Sequence, residues 1–183
     1  MPIAIGQKLE SDFRNPLGLL SDCHRRIERF LEALILISEQ GGGNELNREQ
    51  SEQFEVCLRY FREAAPKHTL DEEESLFPRL RLRKDQQSAN AFALLDSLHA
   101  DHTEAEISHR KVDELGLAWL ADGRLSPENT QVLIGLLKDL RTTYDKHIAV
   151  EDKELFPLAE KILGRSELEA VAREMAGRRN LNM

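Results

Sequence analysis

The sequence is short of the residues that build several kinds of fold. Aromatics make up 5% of it, with 1 Trp and 2 Tyr, and there are 10 glycines in 183 residues. A chain so poor in turn formers and aromatics does not read as a sandwich or barrel of many short strands. Only 2 cysteines occur, Cys23 and Cys57. They make neither a metal-type nor a disulfide-type spacing, and each falls in an apolar helical pattern where a small buried thiol is expected. No apolar run approaches the length of a membrane span, and residues 1–15 lack the basic start, apolar stretch and small-residue cleavage site of a secretory signal. Positive charge is also in deficit. The formal net charge of −8 excludes nucleic acid or an anionic membrane as the main partner, because both demand concentrated Lys and Arg. The cytoplasm is the expected location.

What is abundant is charge and helical periodicity. Charged residues reach 32% and hydrophobic ones 40%, the profile of an all-α protein, and the length is most simply one domain, 1–183. After an arm of about fifteen residues containing Phe13, a first helix is expected from Pro16 to about Gln40, stopped by Gly41-Gly42-Gly43. A second starts at Asn47, which forms a capping box with Gln50, and Pro66 should kink it. A third spans about Gln86 to Ala121. A fourth begins at Ser126-Pro127 and ends by Gly164. A short amphipathic helix at about 166–178 then starts from a Ser166/Glu169 capping box and finishes in the basic Arg178-Arg179, expected to fray. The arrangement predicted is an antiparallel up-down-up-down four-helix bundle with an N-terminal arm and a short C-terminal helix; its core covers about 15–164.

His-x-x-x-Glu occurs four times, at His24/Glu28, His68/Glu72, His102/Glu106 and His147/Glu151. Residues four apart share a helix face, so each pair presents an imidazole beside a carboxylate. The histidines are separated by 44, 34 and 45 residues, about a long helix plus its turn. Each of the four helices therefore offers one pair. Two of the pairs sit in a repeat: residues 67–78 read KHTLDEEESLFP and residues 146–157 read KHIAVEDKELFP, an offset of 79, while His24 and His102 are 78 apart. Two similar hairpins packed antiparallel would close a bundle about an approximate two-fold axis, which suits two metals better than one.

A buried imidazole, and still more a buried carboxylate, costs free energy that apolar neighbours do not return. Dications supply that compensation. Nitrogen and oxygen ligands without thiolate suit iron, manganese or zinc. The simplest assignment gives two histidines to each metal from His24, His68, His102 and His147, with Glu72 and Glu151 bridging, and leaves room for an oxo or hydroxo bridge and a small exogenous ligand. Glu28 lies off the Leu20-His24-Ile27-Leu31 stripe and belongs on the surface. Glu106, His99 and His109 are possible further ligands or cavity-lining groups. Tyr144, one turn before His147, could reach a bound ligand or be a core tyrosine bonded elsewhere. The acidic run Asp71–Glu74 is expected to be a solvated face apart from Glu72. The apolar end of helix three, with Leu117 and Trp119, could be core, cover for the arm or a dimer contact.

These residues resemble the hemerythrin-like family of HHE cation-binding domains: His24, then His68-x-x-x-Glu72 followed by Leu-Phe-Pro, then His102, then His147-x-x-x-Glu151 followed by Leu-Phe-Pro. The resemblance implies a four-helix bundle around a non-haem di-iron centre (Fe2+/Fe3+, with manganese or zinc as substitutes) that handles dioxygen, nitric oxide, peroxide or iron itself. The invertebrate oxygen carriers have HxxxH in helix three and HxxxxD in helix four, where this chain has HxxxE in both. The four-His, two-Glu set is closer to bacterial di-iron proteins of nitrosative stress and iron–sulfur repair. Those carry a small cysteine-bearing N-terminal domain for which the arm leaves no room, so their repair function is not implied. The expectation is a protein that binds or senses a small species. The alternatives are a di-iron peroxidase, oxidase or nitric oxide reductase, and an iron-storage or regulatory module. No redox partner is specified, and a monomer or a homodimer is compatible with the sequence.

Overall fold

The computed structural model describes the backbone of residues 11–83 and 88–181 and the side chains of 11–83 and 92–181. Among these residues the chain is helical throughout, without strands: α1 (Pro16–Gly41), α2 (Arg48–Glu63), α3 (Ala65–Leu70), a π-helical segment π1 (Asp71–Leu76), α4 (Phe77–Arg81), α5 (Ser88–Asp122), α6 (Pro127–Val150), a second π segment π2 (Glu151–Leu155), α7 (Phe156–Ile162) and α8 (Arg165–Gly177). α1 packs against α2 and α6, and α5 packs against the same two. That ring of neighbours is a four-helix bundle, with α2–α4 acting as one interrupted helix and α6–α7 as another.

Most boundaries have their expected cause. Asn15 accepts from the Gly18 amide to cap α1, and Gly42, at φ 56°, supplies the left-handed turn that ends it. Asn47 and Gln50 cap each other's backbone amides at 2.9 and 3.1 Å. Ser126 caps α6, with Pro127 in its first turn. Pro66, which has no amide proton, interrupts the second helix at Ala64. The expected start of the third helix near Gln86 and residues 1–10 of the arm lie outside the described residues; Phe13 packs on the core.

Two expectations near the C-terminus are corrected. The last helix is capped by Glu167, whose carboxylate accepts from the Gly164 amide at 2.9 Å, and not by Ser166 with Glu169. Ser166 lies inside the first turn. The Arg178-Arg179 tail is not frayed. Arg178 donates to Asp71 at 3.0 Å and Ser75 at 2.8 Å, and Arg179 donates to Asp71 at 2.7 Å. Asp71 is therefore fully buried, and Glu73 is half-buried, so only Glu74 in the acidic run is the solvated group expected.

The two π segments fall at the same place in the two copies of the Leu-Phe-Pro repeat. Pro78 and Pro157 cannot supply the helical N–H bond to the carbonyl four residues back, and their rings crowd that carbonyl. The helix widens just ahead of each proline. The Phe77 amide donates five residues back to the Glu72 carbonyl, and the Phe156 amide does the same to Glu151. Wide turns of this kind mark functional sites in helices.

The apolar core is in two parts. One holds Phe54, Leu58, Val112, Trp119 and Leu137, and the other Leu20, Leu76, Phe77, Leu98, Phe156 and the α8 residues Val171 and Met175. Trp119 is core: it is 1% exposed, meets Phe54 edge-on and donates to the Asn44 carbonyl at 2.9 Å. Gly41 is required beneath it, since a Cβ there would lie 2.8 Å from the indole. Leu117 remains exposed. Along α1 the chain passes from Leu20 in one cluster to Ile27 in the other, and along α5 from Leu98 to Ala105. His24 and His102 lie in that seam.

Candidate metal centre

Polar residues in the seam come from four separate stretches of helix. His24 from α1, His68 from α3, Glu72 from π1, and Glu151 from π2 bring one ligand atom each to within 4.8 Å of one another. Glu72, His102 of α5, His147 of α6 and Glu151 form a second group under the same limit. The two groups share both glutamates. His24, Glu72 and Glu151 are fully buried, and His68 and His147 are 4% exposed.

The inner contacts run between Nε2 atoms and carboxylates. Glu72 lies 3.2 Å from His68, 3.4 Å from His102 and 3.7 Å from His24, and Glu151 lies 3.1 Å from both His24 and His147. Yet among the described residues His24 Nε2 and all four oxygens of Glu72 and Glu151 lack any hydrogen-bond partner. Buried polar groups left in this state are costly. Here they converge on one another and are chemically the donors a divalent cation takes, so the residues fit a metal site.

Three of the four rings are held from behind. His24 Nδ1 meets Asp152 at 2.9 Å, His102 Nδ1 meets Glu73 at 2.8 Å, and His147 Nδ1 meets Asp101 at 3.2 Å. A proton on Nδ1 in each of these bonds leaves the Nε2 lone pair facing inward. Asp152 is itself fixed by Ser21 at 2.9 Å and Arg25 at 2.6 Å. These three acids are the functional residues that pattern reading missed. A signal for two of them was present: Glu73 and Asp152 are equivalent in the 79-residue repeat, each directly following a buried glutamate.

The sequence matches the hemerythrin HHE cation binding domain over residues 15–159. The chain belongs to this family. An uncharacterized protein of Haemophilus influenzae is 25% identical over 169 residues, covering 92% of each chain. A cation-binding family and a buried cluster of four histidines and two glutamates together make this a metal-binding site.

The remaining candidates from helix register separate in space. Glu106 and His99 are exposed and belong to neither group; His99 bonds Glu73 at 2.8 Å. Glu28 pairs with Arg25 at the surface. His109 lies against Phe61, its ring stacked at 4.4 Å, and its Nε2 meets the Tyr144 hydroxyl at 3.0 Å. Tyr144, with the four histidines, lines a cavity of about 10 Å³. A wider cleft of about 410 Å³ shares Ala65, Thr69, His102 and Tyr144 with it, and carries Glu73, His99, Glu106 and His109 on its walls. Among the described residues no helix is long and apolar enough to cross a membrane.

The electrostatics are those of two carboxylates in need of positive charge. Burial disfavours the charged form of His24, but Asp152, Glu151 and Glu72 outweigh it and hold the imidazolium well above its ordinary range. His102 is likewise raised against burial, to about 10, by Glu72 and Glu73, and His147 is raised by Glu151. Burial would lift Glu72, yet the surrounding histidines press it well below the usual carboxylate value. Burial and the neighbouring Glu72 charge act the same way on Glu151, and His147 and His24 bring it down. His68 differs. Burial dominates there and lowers it to about 4.

Proposed function

We propose that this protein holds two iron ions, one between His24 and His68 and one between His102 and His147, with Glu72 and Glu151 bridging them. In this reading it binds or senses a small species: dioxygen, nitric oxide or peroxide. The observation that carries the reading is the sharing of both glutamates by the two histidine pairs. A single tetrahedral zinc would need four ligands and would strand the other two. When bound, a reduced iron pair supplies electrons to the small species and a coordination position for it.

The chain's own residues set which species fits. The cavity of about 10 Å³ between the four histidines is small, which supports a small species over a bulky one. Ile27, Ala65 and Ile148 give it an apolar wall, and Ala65, Thr69, His102 and Tyr144 lie between it and the wider cleft. Tyr144 is the neutral hydroxyl in that wall: burial holds its phenol above the ordinary range. It can donate one hydrogen bond to an acceptor in the cavity while His109, kept neutral by burial, holds the ring in place.

The decisive experiment loads metal-free protein with ferrous iron without air, counts the bound metal, and follows the absorption spectrum through exposure to air and its removal. Two irons per chain and bands that appear and reverse are expected. Fewer than two irons would reject the dinuclear reading. Two irons with irreversible oxidation, restored by a reductant and cycled by peroxide, would make the protein an enzyme.

A further inference from the structure

We infer that the two metal positions are unequal: the one between His102 and His147 fills first and holds its metal more tightly than the one between His24 and His68. This rests on the dinuclear reading above. A carboxylate on the outer nitrogen of a ligating histidine fixes its tautomer and ring plane and strengthens Nε2 as a donor. His102 has Glu73 at 2.8 Å in that role and His147 has Asp101 at 3.2 Å. On the other side, among the described residues, only His24 has such a partner, Asp152 at 2.9 Å. The Nδ1 of His68 is buried and has no hydrogen-bond partner.

The internal repeat shows where the symmetry breaks. Glu73 and Asp152 correspond to one another and cross between the hairpins in the same way, π1 to α5 and π2 to α1. Asp101 immediately precedes His102, and the residue in the corresponding place before His24 is Cys23. An acid thus backs His147 in one half, and a neutral thiol occupies its counterpart in the other. Losing such an outer partner typically weakens metal binding by about 10–100-fold, so a difference of that size is expected between the two positions.

Two dications sharing two carboxylates repel each other, so separate binding steps alone would not establish the inequality. The location of the first ion does. Crystals of metal-free protein given less than one equivalent of manganese(II) should show anomalous scattering between His102 and His147. Equal scattering at both positions, or scattering first between His24 and His68, would overturn the inference. In solution, Asp101→Asn should weaken the tighter of two manganese(II) steps by about 10–100-fold, and an unchanged step would also overturn it. Cys23→Asp should tighten the weaker step; if that variant does not fold, Asp101→Asn and the crystals still decide. Binding of fewer than two ions by the native chain overturns the dinuclear reading and the inequality with it. Two ions in the wrong order overturn the inequality alone.

Discussion

Asp71, wholly shielded from solvent one residue before Glu72, accepts a 2.7 Å hydrogen bond from Arg179 beyond the end of α8. The C-terminal tail is therefore part of the scaffold of the metal centre. Arg178 completes the clamp, and Arg79 of α4 reaches back to Glu174 of α8 at 2.7 Å. Ending the chain after Gly177 would strip Asp71 of both cations and uncover it, a loss of about 1.5–3 kcal/mol. Urea denaturation should show that loss. Because Asp71 directly precedes Glu72 in π1, the bound metal count should fall as well. Arg179→Met, which keeps Arg178 in place, should cost less than half as much.

Glu72 and Glu151 are set apart from Glu28 and Glu106 by burial and by membership of both ligand groups. On the dinuclear reading, replacing either Glu72 or Glu151 with Ala should lower the iron bound per chain by at least one, measured by metal analysis after desalting. Glu28→Ala should leave two. It breaks only a surface contact with Arg25, so its effect on stability should stay within about 0.5 kcal/mol.

The sequence carried the helices, the Asn47 and Ser126 caps and the six residues that meet in the two ligand groups, because each follows from a local rule: period, cap residue or spacing. Trp119 could not be placed that way, since core and interface tryptophans look alike until their neighbours are known. The supporting acids were invisible for a related reason. Asp101, Glu73 and Asp152 reach histidines on other helices, and helical register says nothing of contacts across the bundle. The π segments were within reach, given that Leu-Phe-Pro recurs at one place in both hairpins, but as a sequence the triplet marks only a repeat. Arg178 and Arg179 looked like a solvated tail because their partner Asp71 sits in an acidic run that itself looked solvated.

The pH dependence of the metal-free protein follows from the histidines. A histidine whose folded pKa lies above its unfolded value near 6.5 stabilises the fold fully below that value and loses this contribution as pH rises through the folded value. His102, raised to about 10, and His24 and His147, also raised, act in this sense. Stability of the metal-free form should thus decline from about pH 6.5 towards 10. His68 and His109, lowered to about 4, act oppositely: their contribution is present above 6.5 and is lost as pH falls to about 4. Thermal melts across pH should give a maximum near 6.5. Metal loading displaces the protons of the raised histidines, so the alkaline decline should vanish in the loaded protein, and binding at pH 7 should release protons to the buffer.

Tyr144→Phe separates ligand handling from metal holding. The substitution keeps the ring that lines the cavity and removes the hydroxyl 3.0 Å from His109 Nε2. His109 would be left with both nitrogens unsatisfied, since its Nδ1 already lacks a partner; a cost of about 1–3 kcal/mol is expected. The Tyr144 hydroxyl is engaged with His109 on the cavity wall, so the metal count should not change. If its hydroxyl donates to a bound species, nitric oxide should dissociate faster from the variant by about 10-fold, the worth of one neutral hydrogen bond. Stopped-flow release into a nitric oxide scavenger measures this directly. An unchanged release rate beside an unchanged metal count would assign Tyr144 to holding His109 alone.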